Sequence, residues 1–253
     1  MKFMLTILCV VALAVPAVAE NLLSNADFEH GDLAGVLPRW WTKQEADRYP
    51  LGIPPGWTEA GPKTVGSWQG GAPVPVQFFT KDAPMYVHEL SVDDKGEQRA
   101  KRVAVATSPV AKTGYSIGWT LAGPNAMGHP WVSQMVTVTP GKYLLRASWD
   151  VAVKNQLSPA KKHETAGVFQ VIVDQWVGQY DVPKPAFEKA VWNDESKGKW
   201  LSQAVNGHLI ETKTGGVEVR LMFRETRRDT IPAEKYSFVA FDNIAVDLIP
   251  VKR

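Results

Sequence analysis

Beyond its first twenty residues the chain alternates apolar and polar positions with a period of two. Tyr143, Leu145, Ala147, Trp149, Val151 and Val153 share one face, with Arg146, Ser148 and Asp150 on the other. Val217, Val219, Leu221 and Phe223 alternate with Glu218, Arg220 and Arg224. Phe169, Val171 and Val173 alternate with Gln170 and Asp174, and Ile244, Val246 and Leu248 with Ala245 and Asp247. Successive side chains of a strand point to opposite sides, so each stretch predicts a strand with one buried and one wet face. That is the pattern of antiparallel sandwiches. Helical periodicity of useful length is absent, apart from a short helix predicted over Ala186–Trp192.

Turn chemistry separates the strands. Thr139-Pro140-Gly141-Lys142 joins Trp131–Val138 to Tyr143–Val153 and reads as a tight hairpin turn. Gly215-Gly216 precedes the Val217 strand. Tyr49–Ala83, rich in Gly and Pro, and the polar, basic stretch Asn155–Ala166 read as long loop insertions, which are often functional. With no internal repeat or low-complexity linker, the simplest organisation is one all-β domain from Glu20 to Arg253.

Charge narrows the function classes. The 28 basic and 26 acidic residues leave a formal net charge of +2, and the basic pairs are short and scattered. A nucleic-acid binder would carry a basic stripe. Lys2, the apolar run Phe3–Val15 and the small residues Ala17-Val18-Ala19 read as a cleavable secretory signal over residues 1–19, cut before Glu20. The expected location is therefore secreted or periplasmic. The apolar run is too short to remain as a membrane span. Cys9 is the only cysteine and lies inside it, so the exported chain is expected to lack disulfides and thiolate chemistry.

Three segments carry a resemblance. The first is Asn21-Leu22-Leu23-Ser24-Asn25-Ala26-Asp27-Phe28-Glu29-His30-Gly31, followed by Trp40. The second is Gln134-Met135-Val136-Thr137-Val138-Thr139-Pro140-Gly141-Lys142-Tyr143, and the third is Phe241-Asp242-Asn243-Ile244-Ala245-Val246. In this order they resemble the opening, middle and closing strands of the galactose-binding-like, jelly-roll carbohydrate-binding modules of families four, nine and twenty-two, which accompany xylanases and endoglucanases. Tyr143 comes one residue early for the pattern. The resemblance implies an antiparallel jelly-roll β-sandwich with long loop insertions, and a polysaccharide or oligosaccharide partner. It also implies a structural calcium tying the first strand to the last, with Asp27, Glu29 and Asp242 as ligands. Calcium takes six to eight hard oxygens at about 2.3–2.6 Å, which carboxylates from distant segments can share.

Sugars present apolar faces to flat aromatic rings and hydroxyl rims to polar side chains. The chain has 10 tryptophans. Trp149 falls on an alternating apolar face and reads as core. Trp68, Trp119, Trp176 and Tyr180 are the candidate ligand aromatics, with Gln175 and Arg220 as polar partners. The five histidines lie far apart, the acidic residues form no recognisable catalytic pair, and no nucleophile elbow, Walker loop or dinucleotide fingerprint is present. The expectation is an exported carbohydrate-binding protein without catalysis. The alternative is a cell-surface or matrix interaction module, and a glycoside-active enzyme ranks third.

Overall fold

The computed structural model describes residues 21–23, 26–28, 58–60, 76–81, 85–92, 98–106, 110, 114–122, 129–156, 164–174, 184–226 and 235–252. The expected signal segment lies outside them. Twelve strands follow in order: β1 Thr58–Ala60, β2 Gln77–Phe79, β3 Met85–Val92, β4 Gln98–Ala106, β5 Ser116–Leu121, β6 Trp131–Thr137, β7 Gly141–Asn155, β8 Thr165–Val173, β9 Phe187–Trp192, β10 Leu201–Thr212, β11 Gly216–Glu225 and β12 Ser237–Pro250. One helical turn, α1 (Asn193–Ser196), sits between β9 and β10. Among the described residues no helix is long and apolar enough to cross a membrane.

The strands build a front sheet in the order β1-β6-β11-β8-β9, a back sheet in the order β10-β7-β12-β5-β2, and a separate antiparallel ribbon of β3 and β4. The last eight strands pair from the outside in: β5 with β12, β6 with β11, β7 with β10 and β8 with β9. A long antiparallel hairpin gives those pairings. Rolling it so that β12 also meets β7, and β11 also meets β8, yields two opposed sheets. This is the jelly roll, which the strand pairing defines without reference to any relative.

The inner faces are the ones the alternation marked. Leu145, Trp149, Val151 and Val153 of β7 meet Phe169 and Val171 of β8, and Val219, Leu221 and Phe223 of β11, in one core. Trp149 stacks on Phe169 with ring centroids 4.3 Å apart and planes 10° off parallel, joining the sheets across the sandwich. Phe28 and Phe241 are both fully buried in that same core.

A bulge in β12 brings the chain ends together. The register against β7 shifts between Asp242 and Ala245, and Asn243 adopts a left-handed conformation (φ 51), which Asn tolerates better than most residues. Ile244 donates its N–H to the Ala26 carbonyl at 2.9 Å, and Leu22 donates to the Val246 carbonyl at 3.0 Å. The N-terminal segment is thereby laid along the last strand.

Three expectations are corrected. Thr139–Lys142 is not a hairpin, because β6 lies in the front sheet and β7 in the back. Val138 donates to the Gly215 carbonyl at 2.8 Å, and the Tyr143 hydroxyl donates to the Thr139 carbonyl. The turn is thus pinned to the neighbouring β10–β11 corner and passes the chain between layers. The predicted helix over Ala186–Trp192 is strand β9, because Phe187–Trp192 completes the edge of β8; tertiary pairing overrides local preference there. The stretch Tyr49–Ala83 holds two short edge strands, β1 and β2, besides loop.

Candidate functional site

The outer face of the front sheet collects the chemistry. Strand register places side chains there in rows: Trp131, Met222, Val168 and Ala190 in one, and Ser133, Arg220, Gln170 and Glu188 in the next. Glu218 lies beside Ile172, and Trp192 beside Ala166. With strands ~4.8 Å apart, the row from β6 to β9 crosses three spacings, roughly 14 Å, longer than one sugar ring.

Two ion pairs organise this face. Arg220 Nη2 is 2.9 Å from Glu218 Oε1, and Arg220 Nε donates to the same oxygen at 2.9 Å. Both residues are only 8% exposed. The Arg220 guanidinium also lies over the Trp131 ring, its central carbon 4.6 Å from the centroid, within cation–π range. Arg224 grips Glu188 with two parallel bonds, Nη1 to Oε1 at 3.0 Å and Nη2 to Oε2 at 3.1 Å. Gln170 Nε2 donates to Glu188 Oε2 at 2.6 Å. Burial alone pushes the Glu188 carboxyl up, but bonds from Arg224 and Gln170, with the Arg224 charge, hold it below its usual value. That suits a fixed anion and not a general acid.

Two polar atoms on this face stand unsatisfied. Trp131 Nε1, a donor, and Gln170 Oε1, an acceptor, are buried without a hydrogen-bond partner among the described residues. Leaving a buried donor or acceptor unpaired costs about 1–3 kcal/mol each, so unmatched atoms on one face call for an occupant. Beside them Ala166, Val168 and Met222 form an apolar strip against which Trp131, Ala190 and Trp192 pack.

Of the sequence candidates, only Arg220 lies in this constellation. It is not a free polar arm, because Glu218 and Trp131 already engage its charge. Trp119 is corrected outright. It is 1% exposed on β5 and packs edge-on against Phe241 with centroids 6.4 Å apart, so it serves the core. Trp68, Trp176, Tyr180 and Gln175 lie outside the described residues. Trp131, Gln170, Glu188, Glu218, Arg224 and Trp192 were not chosen from sequence. The alternation of β8 and β11 already put Gln170, Glu218 and Arg224 on the same outer face as Arg220, which was the available signal.

Asp27 is exposed and Asp242 is 5% exposed, with one Asp242 oxygen accepting the Asn243 N–H at 2.7 Å. The bond from Ile244 to Ala26 brings the two segments side by side. Glu29, the third expected calcium ligand, lies outside the described residues.

Fold and face together define a jelly-roll sandwich with a polar, tryptophan-flanked outer surface, the anatomy of a binding module. No protein-family model and no curated protein matches the chain. Among solved structures it is similar to a family 61 carbohydrate-binding module in complex with β-1,4-galactotriose, at 12% identity, 90% coverage of this chain and 99% of that one, and a TM-score of 0.43. It is also similar to a family 28 carbohydrate-binding module specific for non-crystalline cellulose, at 13% identity, 84% and 94% coverage, and a TM-score of 0.36. A further similar structure is an adhesin domain of Lys-gingipain from Porphyromonas gingivalis, at 11% identity, 77% and 91% coverage, and a TM-score of 0.36.

Proposed function

We propose that this chain is an exported, non-catalytic carbohydrate-binding protein whose ligand lies across the outer face of the front sheet. The observation that carries the reading is the pair of buried, unmatched atoms, Trp131 Nε1 and Gln170 Oε1, flanking Arg220. A sugar hydroxyl both accepts and donates, so a run of hydroxyls satisfies a lone donor and a lone acceptor at once. Both guanidinium groups on the face are already matched by carboxylates, so the ligand need bring no charge. Export is supported by the charged start, apolar run and small residues of the N-terminus. Calcium held by Asp27, Glu29 and Asp242 belongs to the same reading, supported by the juxtaposition of the first and last segments. The ion would neutralise carboxylates there and tie the two chain ends.

The test is a pull-down of residues 20–253 on xylan, β-1,4-galactan and non-crystalline cellulose, with and without chelator. Retention on at least one polymer is expected. Gln170→Leu, which keeps the bulk but removes the acceptor, should weaken it about tenfold. Failure of the unaltered chain to bind any glycan would overturn the reading. The interaction-module alternative calls for a large exposed apolar patch. Among the described residues, Leu144 and Leu209 are the only exposed large apolar side chains paired side by side, too few for such a patch.

A further inference from the structure

We infer that Trp131 recognises its ligand through the N–H at the edge of its indole, and that Arg220 is the positioning residue that denies the ring face to stacking. The inference depends on the carbohydrate reading above but runs against the usual use of tryptophan in sugar recognition, where the flat face meets the sugar. Here that role is blocked. The guanidinium of Arg220 covers the ring at 4.6 Å. It is not a mobile cover: Glu218, two residues back on the same side of β11, fixes it through two nitrogens at 2.9 Å each. With both partners 8% exposed, the pair is held in a low-dielectric setting where separating it is costly. The remainder of the ring packs toward the apolar strip of Ala166, Val168 and Met222. What Trp131 has left to offer is Nε1, which donates to nothing among the described residues. An indole nitrogen can only donate, so the ligand group there is an oxygen acceptor, a hydroxyl or an ether.

Edge recognition and stacking respond differently to one substitution. Trp131→Phe retains a flat ring for Arg220 and for any sugar face, but has no N–H. On whichever of xylan, β-1,4-galactan or non-crystalline cellulose the unaltered chain binds, Trp131→Phe should lose about tenfold in affinity while its thermal midpoint changes little. Nuclear magnetic resonance of nitrogen-labelled tryptophan gives a second readout that needs no variant to fold. The Trp131 indole N–H resonance should move downfield on adding a soluble oligosaccharide of the bound polymer, as a newly donated hydrogen bond requires. Wild-type affinity in Trp131→Phe, or an indole resonance that does not move, would sink this inference alone. Absence of glycan binding by the unaltered chain would sink the carbohydrate reading, and this inference with it.

Discussion

The side chain of Asn21 brackets the backbone of Val246 and its neighbour Ile244, 225 and 223 residues away. Its Nδ2 donates to the Ile244 carbonyl at 2.8 Å, and its Oδ1 accepts the Val246 N–H at 3.0 Å. The amide thus behaves as a short strand partner for β12 just past its bulge. The same oxygen accepts the Leu23 N–H at 3.2 Å, which fixes the local turn. Asn21→Ala removes all of these bonds and is expected to cost about 1–3 kcal/mol. For a chain of this size that lowers the thermal midpoint by roughly 2–10 °C. Calorimetry of the two proteins measures it, and equal midpoints would show that the N-terminal segment adds nothing to the sandwich.

Gly118 on β5 marks the tightest approach between strands. A Cβ there would stand 1.9 Å from the Val239 carbonyl oxygen and 2.9 Å from Ala240 Cα, both backbone atoms of β12. Backbone cannot rotate aside as a side chain can, so Gly118→Ala should cost about 3 kcal/mol or more, the upper end of overpacking. Gly207 provides the contrast. Its φ is +89, but nothing lies within 4 Å of its would-be Cβ. Gly207→Ala therefore carries only the left-handed backbone strain of about 1–2 kcal/mol. Denaturant titration of both variants ranks them, and a Gly118 variant as stable as the Gly207 one would disprove the close approach.

These positions also show what the sequence made legible. β7, β8, β11 and β12 could be read because each has one wet face, so polar residues interrupt the apolar run at every second place. β5 could not. Its six residues are all buried, so Ser116-Ile117-Gly118-Trp119 shows no alternation and Trp119 looked like a loop aromatic. In β9, Lys189 occupies the core-side register between Phe187 and Val191, which masks the period. Pro140-Gly141 specifies a turn, but which sheet receives the next strand depends on contacts with the β10–β11 corner, far along the chain. At the site, the outward direction of Arg220 was readable from β11. Its capture by Glu218 and Trp131 was not, since the Trp131 contact follows from strand register and not from spacing in the chain.

Asp174 gives the fold a pH dependence of definite sign. It adopts a left-handed conformation (φ 56) just after β8 and accepts bonds from the Thr212 and Thr214 hydroxyls and the Lys213 and Thr214 N–H groups. Burial alone pushes its carboxyl up, but those four donors outweigh it and hold the group well below the ordinary carboxylate range. The depressed folded-state value means that the ionised form stabilises the fold above the unfolded value of about 3.9, and that this contribution fades as pH falls below it. Asp174→Asn should therefore be less stable than the native chain at about pH 6, with the gap narrowing below about pH 4. Chemical denaturation across that range measures the gap. A constant gap down to the most acid point would mean that the bonds of Asp174 do not depend on its charge.

Asp242 tests the proposed calcium. Its carboxylate is 5% exposed, and the Asn243 N–H bonds only one of its oxygens in the local turn. Asp242→Asn keeps an oxygen for that bond but removes the negative charge a hard cation requires. If Asp27, Glu29 and Asp242 share an ion, calcium at a hundredfold excess over its dissociation constant stabilises the native chain by about 2.7 kcal/mol, raising the midpoint by about 5–10 °C. Magnesium should do much less, because it demands a smaller octahedral shell and sheds water reluctantly. In Asp242→Asn the calcium-dependent rise should vanish while the calcium-free midpoint stays near that of the native chain. Identical melting of the native chain in calcium and in chelator would remove the ion from the proposal. The hydrogen bonds from Ile244 to Ala26 and from Leu22 to Val246 would then be left to join the two ends of the sandwich.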